Sequence, residues 1–122
     1  ITLTNITVRN MVTFIGVKAF MGCSRLTSII IPDSVTTIND NAFQGCSRLT
    51  NVTIGSGVTK IGNAAFRYCN RLINITMLSD MPALLGENVI PTNSNLIIKV
   101  PLSAVDLYKS SWTKYESYIV GQ

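Results

Sequence analysis

The chain has 122 residues, 47% of them hydrophobic and 13% charged, with a net charge of +4 and no histidine. That is the size of about one domain, and the missing histidine excludes histidine-based catalysis and histidine-ligated metal. No apolar run reaches the ~18 residues of a membrane span. The basic residues are dispersed instead of gathered on one face with interleaved aromatics, which argues against nucleic acid as a partner.

The first unit of a repeat runs from Leu3 to Arg25 and reads LTNITVRNMVTFIGVKAFMGCSR. Leu26 to Arg48 reads LTSIIIPDSVTTINDNAFQGCSR, and Leu49 to Arg71 reads LTNVTIGSGVTKIGNAAFRYCNR, so the period is 23 without a gap. Self-similarity at such a period marks a solenoid, whose units bury their apolar residues against each other. The chain opens inside the first unit without an initiator methionine. It is expected to be a fragment with a leader or further repeats upstream.

Stacking the units gives columns. Leu3, Leu26, Leu49 and Leu72 form one. Ile6, Ile29, Val52, Ile75 and Ile98 form the next, and Val8, Ile31, Ile54, Met77 and Val100 a third. The last two columns are two residues apart, the spacing of a strand with both side chains facing in. One short β-branched strand per unit, always entering in the same sense, predicts a parallel sheet. Val12, Val35, Val58 and Met81 are expected to make a fourth inward column, and Ile15, Ile38, Ile61 and Leu84 a fifth.

Between the third and fourth columns, Pro32-Asp33-Ser34 and Gly55-Ser56-Gly57 are turn chemistry. Gly16, Asn39 and Gly62 predict a left-handed or otherwise special backbone conformation. Asp40 and Asn63 read as N-caps, ahead of Ala19-Phe20, Ala42-Phe43 and Ala65-Phe66 on a short helical turn closed by Gly22 and Gly45, with Tyr68 in the third unit. Cys23, Cys46 and Cys69 repeat at the period and read as buried structural thiols, since their odd number is no complete disulfide framework and no CxxC is present.

From Leu72 the repeat decays. Ala-Phe becomes Asn88-Val89 and the cysteine becomes Thr92, although the strand Leu96–Val100 keeps the spacing through Ile98 and Val100. After Pro101, Ser103 to Asp106 resembles a capping box. A short helix through Leu107 and Tyr108, followed by Trp112, Tyr115, Tyr118 and Ile119, suits a lid on the open end of the core. Repeats are thus expected over residues 1–101, with units starting at 3, 26, 49 and 72 and a final strand at 96–100. A C-terminal cap over 102–122 belongs to the same domain.

The pattern LTxIxIxxxVTxIGxxAFxGCSx resembles the BspA-like, or Treponema pallidum, class of bacterial leucine-rich repeats. The tail NLIIKVPLSAVDLYKSSWTKYESYI looks like the cap often seen after them. Together they cover nearly the whole chain, with Val17, Tyr68 and the decayed fourth unit as departures. The resemblance implies an α/β solenoid: a right-handed coil of 23-residue units, a parallel sheet on the concave face, short helical turns on the convex face and a C-terminal helical cap. It implies an exported or cell-surface protein of a host-associated bacterium, without enzymatic activity or cofactor. Adhesion through a protein partner follows, with host extracellular-matrix proteins, other microbes and glycans as candidates.

Three outward rows on the strands are the places where recognition can be written. They are Asn5, Ser28, Asn51, Asn74 and Ile97; Thr7, Ile30, Thr53, Thr76 and Lys99; and Arg9, Pro32, Gly55, Leu78 and Pro101. Asn and Thr rows are either a flat docking surface or ladders that stabilise stacked strands. Ile30 and Leu78 are the apolar exceptions and the better contact candidates. Arg25, Arg48 and Arg71 form a basic ladder. At the ~4.8 Å between strands, two such charges repel by roughly 0.9 kcal/mol in water, so the ladder marks either an acidic partner or a solvated rim whose stems cover the core. Sequons at Asn5, Asn51 and Asn74 share one repeat phase, in strands where they are poorly accessible. The carboxylates Asp33, Asp40, Asp80, Glu87, Asp106 and Glu116 are scattered among turns and caps and suggest no acid–base pair. A structural spacer, or a targeting domain within a larger exported protein, is the alternative to a binding module.

Overall fold

The computed structural model describes residues 6–122; Leu3 and Asn5 lie outside the described residues. In chain order the strands are β1 (Phe14–Ile15), β2 (Ser28–Ile31), β3 (Thr37–Ile38), β4 (Asn51–Ile54), β5 (Lys60–Ile61), β6 (Asn74–Met77), β7 (Leu84–Leu85), β8 (Ile97–Val100) and β9 (Ile119–Gly121), with one α-helix, α1 (Val105–Ser111), before β9. They pair in parallel as two sheets, one of order β2-β4-β6-β8-β9 and a second of order β1-β3-β5-β7. Parallel strands stacked in this way fit a repeat solenoid. The second sheet, two residues wide, is the part that a one-strand-per-unit reading misses.

The register of the larger sheet follows the repeat: Ser28 lies against Asn51, Asn51 against Asn74 and Asn74 against Ile97. In each strand the expected inward pair is buried, from Ile29 and Ile31 through Val52 and Ile54, Ile75 and Met77, to Ile98 and Val100. In the smaller sheet Thr37 pairs with Lys60, a step of 23, but Lys60 pairs with Leu84, a step of 24. One residue has been inserted after Met77, and a slip of one turns each strand side chain to the other face. Met81 and Leu84, expected inward, are therefore 67% and 75% exposed, while Ala83 is buried and Leu85 half-buried. Val89 and Ile90, not Asn88 and Val89, take the places of Ala65 and Phe66, and both are buried. A missing residue between Leu96 and Ile97 restores the phase: Leu96 takes the place of Leu72, a step of 24, whereas Ile97 pairs with Asn74, a step of 23.

The side opposite the strands carries no helix among the described residues. It is a run of hydrogen-bonded turns, such as Ala42 N–H to Asn39 O (3.3 Å), Gln44 N–H to Asn41 O (3.2 Å) and Cys46 N–H to Phe43 O (3.2 Å). Alternate N–H groups point instead to the next coil: Asn41 to Asn63 O, Phe43 to Ala65 O and Gly45 to Arg67 O, at 2.8–2.9 Å. A helix would direct these donors along its own axis; here they link neighbouring coils. Positive φ falls at Lys18, Asn41, Ala64 and Asn88 (55–60°), not at Gly16, Asn39 and Gly62. Gly62 is small for another reason: a Cβ there would lie 2.7 Å from the Asp40 backbone nitrogen. Asp40 and Asn63 do not cap their own turns. Their Oδ1 atoms accept the N–H of Asn63 and Glu87 in the following coil, at 2.8 and 2.9 Å.

Between the sheets and the turns, Phe20, Phe43 and Phe66 stack with ring centroids 5.2 Å apart at each step. After β8, a 3-10 turn (Leu102–Ala104), α1, a second 3-10 segment (Thr113–Tyr118) and β9 complete the described chain. The expected capping box is absent: α1 starts after Ala104 with no side-chain cap bond from Ser103. Trp112, Tyr108 and Tyr115 are buried against the fourth coil. Trp112 Nε1–H donates to Ala83 O (2.9 Å), the Tyr108 hydroxyl to Ser79 O (2.7 Å), and the Tyr115 hydroxyl accepts Ile90 N–H (3.3 Å). Ala83 O and Ile90 N–H are backbone groups whose counterparts, Thr59 O and Phe66 N–H, are met by the coil that follows. β9 then adds a fifth strand, with Ile98 against Ile119.

Candidate functional site

The outward rows lie on the exposed side of the larger sheet, and the structure separates them by what their side chains already do. Asn74 Nδ2 donates to Asn51 Oδ1 (3.0 Å) and Asn51 Nδ2 to Thr50 Oγ1 (3.0 Å), so this row is partly engaged along the stack. Thr50 Oγ1 donates in turn to Thr27 O, and Thr59 Oγ1 to Thr36 O, one unit back in each case. In the next row Thr53, Thr76 and Lys99 are half-buried, whereas Thr7 is exposed, as is Arg9 of the third row. Asn5 lies outside the described residues.

Ile30 is 69% exposed and Leu78 48%. Both line one depression of about 620 Å³, together with Thr7, Pro32 and Asp33. Leu78 belongs to the coil after Gly55 and Ile30 to the coil before it. Gly55 permits the approach: a Cβ on it would meet the Pro32 carbonyl carbon at 2.6 Å. Ile30 and Leu78 were both expected on the outward face of the sheet, but nothing in the spacing indicated that they meet in one depression. Asp33, read as a turn residue, also stands at this rim, its carboxylate accepting Ser56 N–H at 2.7 Å. Asn51, Thr53, Asn74, Thr76 and Lys99 do not line the depression.

Arg25, Arg48 and Arg71 are exposed, each two residues after a cysteine of the thiol column. Cys23, Cys46 and Cys69 are buried and unpaired, as expected. Cys46 Sγ donates to Phe20 O (3.2 Å) and Cys69 Sγ to Phe43 O (3.1 Å). Burial pushes the Cys23 thiol up from its ordinary range. Cys69 is pushed up by its hydrogen bond with Cys46 and then by burial. The sulfurs of Cys46 and Cys69 thus each link one turn to the preceding coil, a structural role.

A family model for the BspA type leucine rich repeat region matches residues 1–114, in six copies. The chain belongs to that family. No curated protein matches it. BspA-type repeats build protein-binding scaffolds that are generally not enzymes, and they are typically found in bacterial surface or exported proteins. No helix among the described residues is long and apolar enough to cross a membrane. Within the BspA-type pattern, Tyr68 is the departure that costs backbone energy: it holds φ at 66° where Gly22 and Gly45 hold 73° and 76°.

Proposed function

We propose that this chain is an exported binding module that docks a protein partner on the exposed side of its larger sheet, in adhesion to host or microbial surfaces. The observation that carries the reading is the meeting of Ile30, Leu78 and Pro32 in one 620 Å³ depression on a rigid parallel sheet. Protein contacts concentrate on apolar anchors that leave water on binding, and here the apolar side chains lie in a rim of Thr7 and Asp33. Thr53, Thr76 and Lys99 extend that surface along the stack, and the arginine ladder lies apart from it. The coil is right-handed with this sheet on its concave side. Repeats occupy 1–101 and residues 102–122 close the end of the same domain.

The test is a panel of matrix proteins and microbial surface proteins assayed for binding to the intact chain, followed by Ile30→Asp and Lys99→Glu. At least a tenfold loss is expected for Ile30→Asp and a smaller loss for Lys99→Glu. If a partner binds and neither variant weakens it, the sheet is not the docking face. The engaged Asn51–Asn74 amides favour a second reading, a spacer within a longer exported protein. A chain that binds no member of the panel and loses nothing in cell adhesion with Ile30→Asp would support that reading.

A further inference from the structure

Tyr68 stands where the two preceding units have glycine, and it takes the glycine conformation. Side chains resist positive φ, and strain retained at one copy of a repeat is a reason to look at what that side chain meets. The Tyr68 ring is 50% exposed, and the Arg67 guanidinium carbon lies 4.7 Å from its centroid. Both residues line a cavity of about 300 Å³ on the turn side of the solenoid, away from the sheet. Asn70 comes to it from the same coil, Asn88 and Thr92 from the fourth coil, and Lys114 from the C-terminal segment. The described residues lining it include no carboxylate.

We propose that this cavity binds an acidic saccharide. The sugar packs the C–H face of a pyranose ring on Tyr68 and sets its carboxylate or sulfate against Arg67 and Lys114. Each part of the set fits one part of such a ligand. An aromatic ring offers a large apolar surface at little entropic cost. Two amides and a threonine hydroxyl match sugar hydroxyls. A guanidinium takes an oxyanion in a two-point grip, and a lysine adds a compact charge. A neutral sugar would leave both cations unused, and a bare inorganic anion would leave the ring unused. The volume stands at the small end of ligand pockets, enough for a single sugar residue of a longer chain. The net charge of +4 favours the approach of an anion. The site is independent of the sheet-face reading and shares no residue with it.

The experiment is calorimetric titration of the intact chain with an oligohexuronate, a sulfated oligosaccharide of equal length, a neutral oligosaccharide of equal length, and inorganic phosphate. At least one of the two acidic sugars is expected to bind tenfold or more tightly than the neutral sugar and the phosphate; which one does so identifies the acid group. Tyr68→Gly is the decisive variant, because it removes the ring and the strain together. Its affinity is expected to fall at least tenfold while its thermal midpoint rises, so loss of binding cannot be ascribed to unfolding. Arg67→Gln is expected to weaken binding by a similar factor, and Ile30→Asp to leave it unchanged. The proposal is overturned if no acidic sugar binds at millimolar concentration, if neutral sugar or phosphate binds as tightly, or if Tyr68→Gly keeps wild-type affinity.

Discussion

Each unit has a thiol at the same phase, yet the three thiols do not have the same surroundings. Cys69 lies between two complete coils, with Sγ bonded to Phe43 O, whereas Cys23 sits in the first described coil beside the half-buried Phe20. Thiolate is the reactive form, and burial keeps Cys23 and Cys69 protonated. All three thiols are closed off from solvent, so access depends on local opening; a disulfide reagent at neutral pH is expected to modify Cys23, in the first described coil, before Cys69 in the native protein, and all three at one rate in denaturant. Mass mapping of early products checks this; a native Cys69 as fast as Cys23 would contradict it. The thiols were legible because position and chemistry both repeat. The left-handed positions were not. Lys18, Asn41, Ala64 and Asn88 share no residue type beyond the two asparagines. Gly62 signalled a left-handed residue but answers a close approach to Asp40, and both demands select glycine.

At the scale of elements, the phenylalanine column joins the turns to the sheets. Phe43 is fully buried between two rings, whereas Phe20 ends the column and is half-buried. Phe43→Ala is expected to cost about 3–5 kcal/mol and Phe20→Ala distinctly less, as measured by urea unfolding. Equal losses would mean that the first coil is covered as well as the second. Burial, and behind it the Asp80 carboxylate, push the Tyr108 phenol up from 10.0 to about 12. The fold holds the neutral form, so on raising the pH the unfolded chain releases this proton first. The stabilisation is whole below about pH 10 and is lost as the pH rises toward 12. Tyr108→Phe is expected to be less stable at neutral pH, since Ser79 O loses its donor, but to show a shallower decline above pH 10. Parallel curves for the two proteins would remove Tyr108 from the alkaline transition.

For the whole molecule, the parallel stack was legible because two inward apolar positions, mostly β-branched, recur through Ile75 and Met77 to Ile98 and Val100. The inserted residue was hidden by that same agreement. The phase is lost after Met77 and regained before Ile97, so Met81 and Leu84 kept an apparent place in columns they do not occupy. Of the candidate surfaces, the rows could be read from alternation. The convergence of Leu78 on Ile30, and of Asn88 and Lys114 on Tyr68, depends on how coils approach each other, which spacing does not encode. A solenoid's stability is close to a sum over neighbouring units, and the fourth coil has Trp112, Tyr108 and Tyr115 where earlier coils have another unit. Trp112→Ala is thus expected to cost about 3–5 kcal/mol, including the buried Ala83 carbonyl left without its donor. Trp112→Phe keeps a ring and loses that bond, and is expected to cost about 1–3 kcal/mol. Amide exchange locates the damage. In Trp112→Ala, residues 77–100 should lose protection before β4, which is flanked by two intact coils. If β4 and the fourth coil lose protection together, the stack unfolds as one cooperative unit, and the C-terminal segment controls all of it.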